Sequence, residues 1–201
     1  MPPLDATMWA YGVLVVALAA AAIDDVRTGK IHNWITYPAI LIGLIVPAIV
    51  LLLELFYPEV GARFSGLRLR LGDALIGLLV GFVPMFVAWR VGGVGGGDAK
   101  LAAAIGVLAG WKFALATLFY GFAVAGVMAL IVMLQRRIFR RTVGRVWWFV
   151  VQAVLRNKPD DPSSEDSPTI AIGLALAIGG AIVMVDELLN GPMTVWLFGA
   201  G

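Results

Sequence analysis

An all-α protein that crosses a membrane about six times is the fold class this sequence predicts, and three observations carry it. Of 201 residues, 61% are hydrophobic and only 14% charged, against roughly 25% charged in an average soluble domain. The mean hydropathy is +0.93. The apolar residues also gather into runs of membrane length, parted by short polar or glycine-rich stretches. A soluble fold of this size has too little interior for so much apolar surface. The pI near 9.2 accompanies a net charge of only +2. The basic residues are therefore local features, and no nucleic-acid-binding surface is expected. There is no cysteine and a single histidine, His32. That excludes a disulfide framework, a thiolate or multi-histidine metal site and a cysteine nucleophile. No metal and no other cofactor is expected.

The first apolar run, Thr7–Ile23, follows a segment whose only charge is Asp5, so it reads as a retained span and not as a signal peptide. A polar stretch from Asp24 to Asn33 separates it from the second span, Trp34–Phe56. Trp34 and Tyr37 at one end of that span, and Phe56 and Tyr57 at the other, match an aromatic belt at both interfaces. Glu54 reads as an interfacial residue. After a short loop with Arg63, Arg68 and Arg70 comes the third span, Leu71–Trp89. Asp73 in its first turn suits the helix dipole, Gly77 and Gly81 allow a close helix neighbour, and Pro84 is expected to kink it. Ala99–Ala109 is apolar but short, and Ala102, Gly106 and Gly110 give it a small-residue face. It crosses only if it is extended at its ends and packed against neighbours. Phe113–Leu134 is the fifth span and Thr169–Val185 the sixth. Between these two, a polar loop over 135–168 opens with Arg136, Arg137, Arg140, Arg141 and Arg145. It holds an expected interfacial helix over Val143–Leu155 and an acidic, proline-rich stretch over Asn157–Pro168.

Six spans place the stretches 24–33, 90–100 and 135–168 on one side. Eleven of the fifteen Lys and Arg residues fall there, which makes that side cytoplasmic and the N-terminus external. The whole chain, 1–201, reads as a single integral membrane domain with one basic and acidic cytoplasmic loop.

The same topology puts Asp24, Asp25 and Asp98 at the cytoplasmic face. Asp98 follows three glycines, Gly95, Gly96 and Gly97, and precedes Lys100. Glycine lets a second backbone come close, and an ionisable residue at a membrane boundary is a functional candidate. Two carboxylates that share a site can divide acid and base work between them. The ionised one takes a proton from water while the other donates to a scissile carbonyl. Asp98 beside Asp24 or Asp25 meets that need. The same acids serve equally well as helix caps or as partners for Arg27, Lys30 or Lys100. A small transporter with an acidic relay is a competing class, as is a non-catalytic membrane subunit that pairs with other assembly proteins. A transporter favours acids at mid-membrane and repeated halves. Here the acids stand at span ends, and no repeat is present.

Asp25, Ile31, Asn33, Thr36 and Pro38 together resemble the first signature of the type IV prepilin peptidases. Gly95-x-Gly97-Asp98-x-Lys100-Leu101, continued by Gly106 and Gly110, resembles their GxGD signature. Pro168 leading into Ile170–Gly180 resembles the family's last helix. The pair of aspartate motifs, in this order within six spans, is what makes the likeness specific.

The resemblance implies an aspartyl endopeptidase of the inner membrane that removes the leader of prepilin-like or preflagellin-like substrates at the cytoplasmic face. Asp25 and Asp98 are its implied catalytic pair. Gly95, Gly97 and Lys100 are implied as a supporting loop, with the glycines allowing Asp98 to move toward Asp25. Asp24 then reads as a solvated neighbour, and His32, standing where the family usually has proline, as a polar interfacial residue. The chain resembles the short members of tight-adherence (Flp) pilus systems and of archaea. The N-methyltransferase activity of the longer, cysteine-bearing members is not expected.

Overall fold

The computed structural model describes residues 8–60, 71–92, 94–136, 144 and 171–190. Among them are six helices: α1 (Met8–Thr28), α2 (Asn33–Phe56), α3 (Leu71–Arg90), α4 (Gly96–Ala109), α5 (Trp111–Gln135) and α6 (Ile172–Asn190). No strand occurs among the described residues, and the protein is an all-α, multi-pass membrane protein as expected. Five of the helices, all but α4, are long and apolar enough to cross a bilayer. The cations of 61–70, those beyond Arg136, the expected interfacial helix and the acidic stretch lie outside the described residues, apart from Gly144.

Close packing divides the chain into two units, Met1–Val124 with Ala171–Gly201, and Ala125–Ile170. The second holds the last part of α5. The first holds everything else described below.

The outward faces of the first unit are apolar. Ile45, Leu52, Val83 and Phe119 are all exposed. A water-soluble protein rarely shows so extended an apolar surface, whereas a bilayer supplies it with lipid tails.

At fourteen residues, α4 is about 21 Å long at 1.5 Å per residue, short of the roughly 30 Å hydrocarbon core. Its residues Leu101 to Leu108 are all buried, and it packs against α1, α2, α3 and α6. It is thus the central post of the bundle and not one of its walls. Lipid tails are as apolar as leucine, so burial alone does not hold such a helix in place. Close van der Waals contact does, and the small residues provide it. A Cβ on Gly77 would run into the Gly106 carbonyl, and one on Gly81 into the Ala102 carbonyl. The two glycines four apart in α3 therefore meet α4 backbone to backbone.

Three helix ends depart from the sequence expectation, and one of them is that of α6, which runs past Val185 to Asn190. α1 does not stop at Ile23 but runs to Thr28, so Asp24 and Asp25 ride on its last turns. It ends where Gly29 adopts φ 67° and its N–H reaches the Asp25 carbonyl at 2.8 Å, a left-handed cap open to glycine at little cost. α4 starts at Gly96 and not Ala99, so Gly96, Gly97 and Asp98 form a helical first turn. Gly110, at φ 87°, lets α5 begin at the very next residue.

Candidate active site

The two acids singled out by motif are buried. Asp25 is 7% exposed and Asp98 8%, and no other described Asp, Glu, Lys, Arg or His is as enclosed. Asp25 sits on the last turns of α1, and its Oδ2 accepts the main-chain N–H of Leu174 in the first turn of α6 at 3.1 Å. Asp98 sits in the first turn of α4, and its Oδ2 accepts the N–H of Gly95 at 2.9 Å. This is half of a capping box, in which an acid reaches back to the residue before the helix. The other half is missing because Gly95 has no side chain to return the bond.

Ile31 joins the two. It is buried in the short connection from α1 to α2, and both neighbouring helices approach it through glycine. A Cβ on Gly97 would lie 2.7 Å from the Ile31 carbonyl oxygen, and one on Gly173 would lie 2.6 Å from Ile31 Cδ1 and 2.9 Å from Asp25 Oδ2. The ends of α1, α4 and α6 therefore converge on a single buried isoleucine, with one carboxylate on α1 and one on α4. Asp98 lies outside the five long apolar helices. Burial pushes its carboxyl up to about 6 against the pull of the Gly95 N–H, and the charge of Asp25 adds to the rise. A carboxyl so placed keeps its proton closer to neutrality than a solvated aspartate does.

The model of the type IV leader peptidase family matches residues 12–130. The chain belongs to that family. No curated protein and no solved structure gave a match. The matched stretch takes in most of α1, all of α2 to α4 and most of α5, with both aspartates.

In this leader peptidase the expected site residues gather at one end of the first unit. Gly95 precedes α4, while Gly97 and Lys100 lie inside it, so the expected supporting loop is mostly helix. Gly97 is needed for contact: Ile31 occupies the space its side chain would take. Lys100 Nζ donates to Asn33 Oδ1 at 2.7 Å and stands 4.9 Å from the centre of the Tyr37 ring. It pins the start of α4 to the start of α2 by a charge-assisted hydrogen bond and a cation–π contact. Asn33 belonged to the first motif, but nothing in the sequence paired it with Lys100.

Asp24 is not the solvated neighbour that was expected. Its Oδ2 accepts the His32 main-chain N–H at 2.9 Å, and His32 Nδ1 lies 2.7 Å from the same oxygen. The Asp24 side chain is 15% exposed and that of His32 51%, so the acid is the shielded partner and the imidazole the outward one. A proline at position 32 could not make the first bond, having no N–H. Asp24 and His32 together thus brace a turn that a proline would stiffen by other means. Gly173 and Leu174 were absent from the expected site as well. The only hint of them was the small-residue start of the last helix.

An apolar hollow of about 550 Å³ runs between α1 and α2, from Trp9 and Gly12 at one end to Trp34 and Ile35 at the other. Neither aspartate lines it.

Proposed function

We propose that this leader peptidase is a membrane aspartyl endopeptidase in which Asp25 and Asp98 activate a water molecule, with no covalent intermediate and no cofactor. The observation that carries this is the burial of two carboxylates on separate helices around Ile31, each held by a main-chain N–H. The substrate is a prepilin-like or preflagellin-like protein whose apolar helix lies in the bilayer beside the bundle. Its short leader stays in the cytoplasm, and cleavage falls at the cytoplasmic face of the inner membrane. The excess of Lys and Arg in the stretches 24–33, 90–100 and 135–168 supports that orientation, with the N-terminus outside.

The chemistry follows the pair as a unit. Asp98, whose proton is retained toward neutral pH, donates it to the scissile carbonyl oxygen. Asp25 takes a proton from the attacking water, and the water oxygen bonds to the carbonyl carbon. The tetrahedral diol then collapses: Asp25 hands its proton to the amide nitrogen, the C–N bond breaks and the amine leaves, and Asp98 regains its proton from a diol hydroxyl, whose oxygen becomes the carbonyl of the new carboxylic acid. Protons balance over one turnover, and both residues return to their starting state. Lys100 remains a positioning group, because its ammonium is already engaged by Asn33 and Tyr37.

The test is cleavage of a prepilin-like substrate by purified protein in lipid, comparing wild type with Asp25→Asn and Asp98→Asn. Loss of cleavage in both, with insertion and folding unchanged, is the expected result. Continued cleavage by either variant overturns the aspartyl mechanism and brings the transporter or assembly-subunit readings forward.

A further inference from the structure

We propose that α6 is a working part of the site, with Gly173 and the main-chain N–H of Leu174 as the positioning elements that set the Asp25 carboxylate. The inference rests on the aspartyl reading above. It concerns a helix, Ile172–Asn190, that lies outside the stretch matched by the family model.

Three distances carry it. The Leu174 N–H meets Asp25 Oδ2 at 3.1 Å. A Cβ at position 173 would come within 2.9 Å of that same oxygen and 3.1 Å of the Asp25 carboxyl carbon. It would also come within 2.6 Å of Ile31 Cδ1. Both obstacles are ends of side chains, so a methyl group there need not unfold the helix. It pushes the carboxylate and the isoleucine tip aside. The absence of a side chain at 173 is therefore what lets α6 reach Asp25 with a main-chain donor. The first N–H groups of a helix have no partner inside it, and α6 directs one of its own at the candidate base. Gly97 does the corresponding work on α4, but against the Ile31 carbonyl and not against an acid.

This arrangement separates positioning from packing. Gly173→Ala disturbs both Asp25 and Ile31, and adding Ile31→Val deletes the Cδ1 atom and so relieves the second contact alone. If Gly173 matters through Asp25, kcat in Gly173→Ala falls by about a hundredfold, the scale of a 1 Å misplacement. KM then changes little, and kcat stays low in the double variant although its unfolding temperature recovers. The pH profile of kcat shifts in both, because the hydrogen bond to Asp25 is altered. If Gly173 is only a packing residue, the double variant regains the kcat of Ile31→Val, and the proposal is overturned.

Leu174→Pro provides the second arm. It deletes the donor without adding bulk at 173, at a position near the helix start where proline is tolerated. A folded Leu174→Pro protein with wild-type kcat and pH profile also overturns the proposal. Asp25→Asn and Asp98→Asn, measured alongside, separate the two failures. If they still cleave, the aspartyl mechanism is wrong. If they are inactive while the Gly173 and Leu174 variants behave as wild type, only the role of α6 is.

Discussion

At one end of the α1–α6 pair, Leu174 of α6 donates a main-chain N–H to Asp25 of α1 at 3.1 Å. At the other, Tyr11 of α1 donates its hydroxyl to Glu187 of α6 at 2.6 Å. The same two helices are thus tied twice through a carboxylate, and the ties are built from different parts. The Glu187 end pairs a carboxylate with a phenol, and the Tyr11 ring in turn stands 6.1 Å from that of Phe113. The Asp25 end has a second buried acid near it, Asp98, next to the Gly97 that meets Ile31, and glycines at 97 and 173 leave room for that isoleucine. A carboxylate satisfied by one side chain in an aromatic setting is a fastener. Two carboxylates held by main-chain donors fit the catalytic pair proposed above, since each keeps lone pairs that its N–H partner does not use. The comparison teaches that a buried acid in a membrane bundle is read from what surrounds it, not from its burial alone.

The sharpest way to break the comparison is to neutralise an acid at each end. Asp98→Asn should lower cleavage by about 10⁴-fold, the order seen when a member of a catalytic set is removed. Glu187→Gln keeps an acceptor for Tyr11 and should leave cleavage within about twofold. Equal losses in a substrate-cleavage assay would mean that both ends are structural.

A smaller effect appears in stability against pH. The Asp98 carboxyl is raised from 3.8 to about 6, so its ionisation opposes folding. Its contribution is fully present below about pH 4 and is lost as the pH climbs through about 6, amounting to at most about 3 kcal/mol. Thermal unfolding in detergent between pH 4 and 8 should show wild type losing that increment and Asp98→Asn not losing it. Parallel curves for the two proteins would refute the burial argument.

Gly97→Ala tests the contact side of the aspartate end. Its methyl would meet the Ile31 carbonyl at 2.7 Å, and a backbone atom yields less readily than a side chain. A loss of about 2 kcal/mol in unfolding free energy is expected, with reduced cleavage. A variant of wild-type stability would show that α4 and the α1–α2 turn are free to separate.

The smallest effect belongs to the brace. Asp24→Asn weakens the tie to His32 and should lower the unfolding temperature only slightly, while cleavage continues. Abolished cleavage with an intact fold would move Asp24 into the chemistry.

Much of this site was legible before any fold was known, and the legible part has a common character. Asp98 stood out as an acid after three glycines beside an apolar run, and Asp24 and Asp25 as acids at the end of another, with the likeness to the prepilin peptidases choosing Asp25 between them. The expected first span stopped five residues short of the end of α1, since a polar last turn leaves no trace in hydropathy. The expected supporting loop at Gly95 and Gly97 is mostly helix for a related reason. Glycine is compatible with a loop and with a tight contact, and the contact with Ile31 is visible only in the packed structure. Asp24 looked solvated because a pairing eight residues away with His32 depends on how the turn closes.

By itself the sequence determined the class of the protein, its five long helices and the two acids proposed as the catalytic pair, because hydropathy, length and motif spacing are properties of the chain alone. The tertiary structure decided that α4 is a central post, that Lys100 is anchored to Asn33 and Tyr37, and that the last helix reaches Asp25 through Gly173 and Leu174. Helices as uniformly apolar as α4 and α5 carry no polar stripe to say which face turns inward. Their partners are chosen by how closely backbones can approach where side chains are small, and that is settled only when the helices pack.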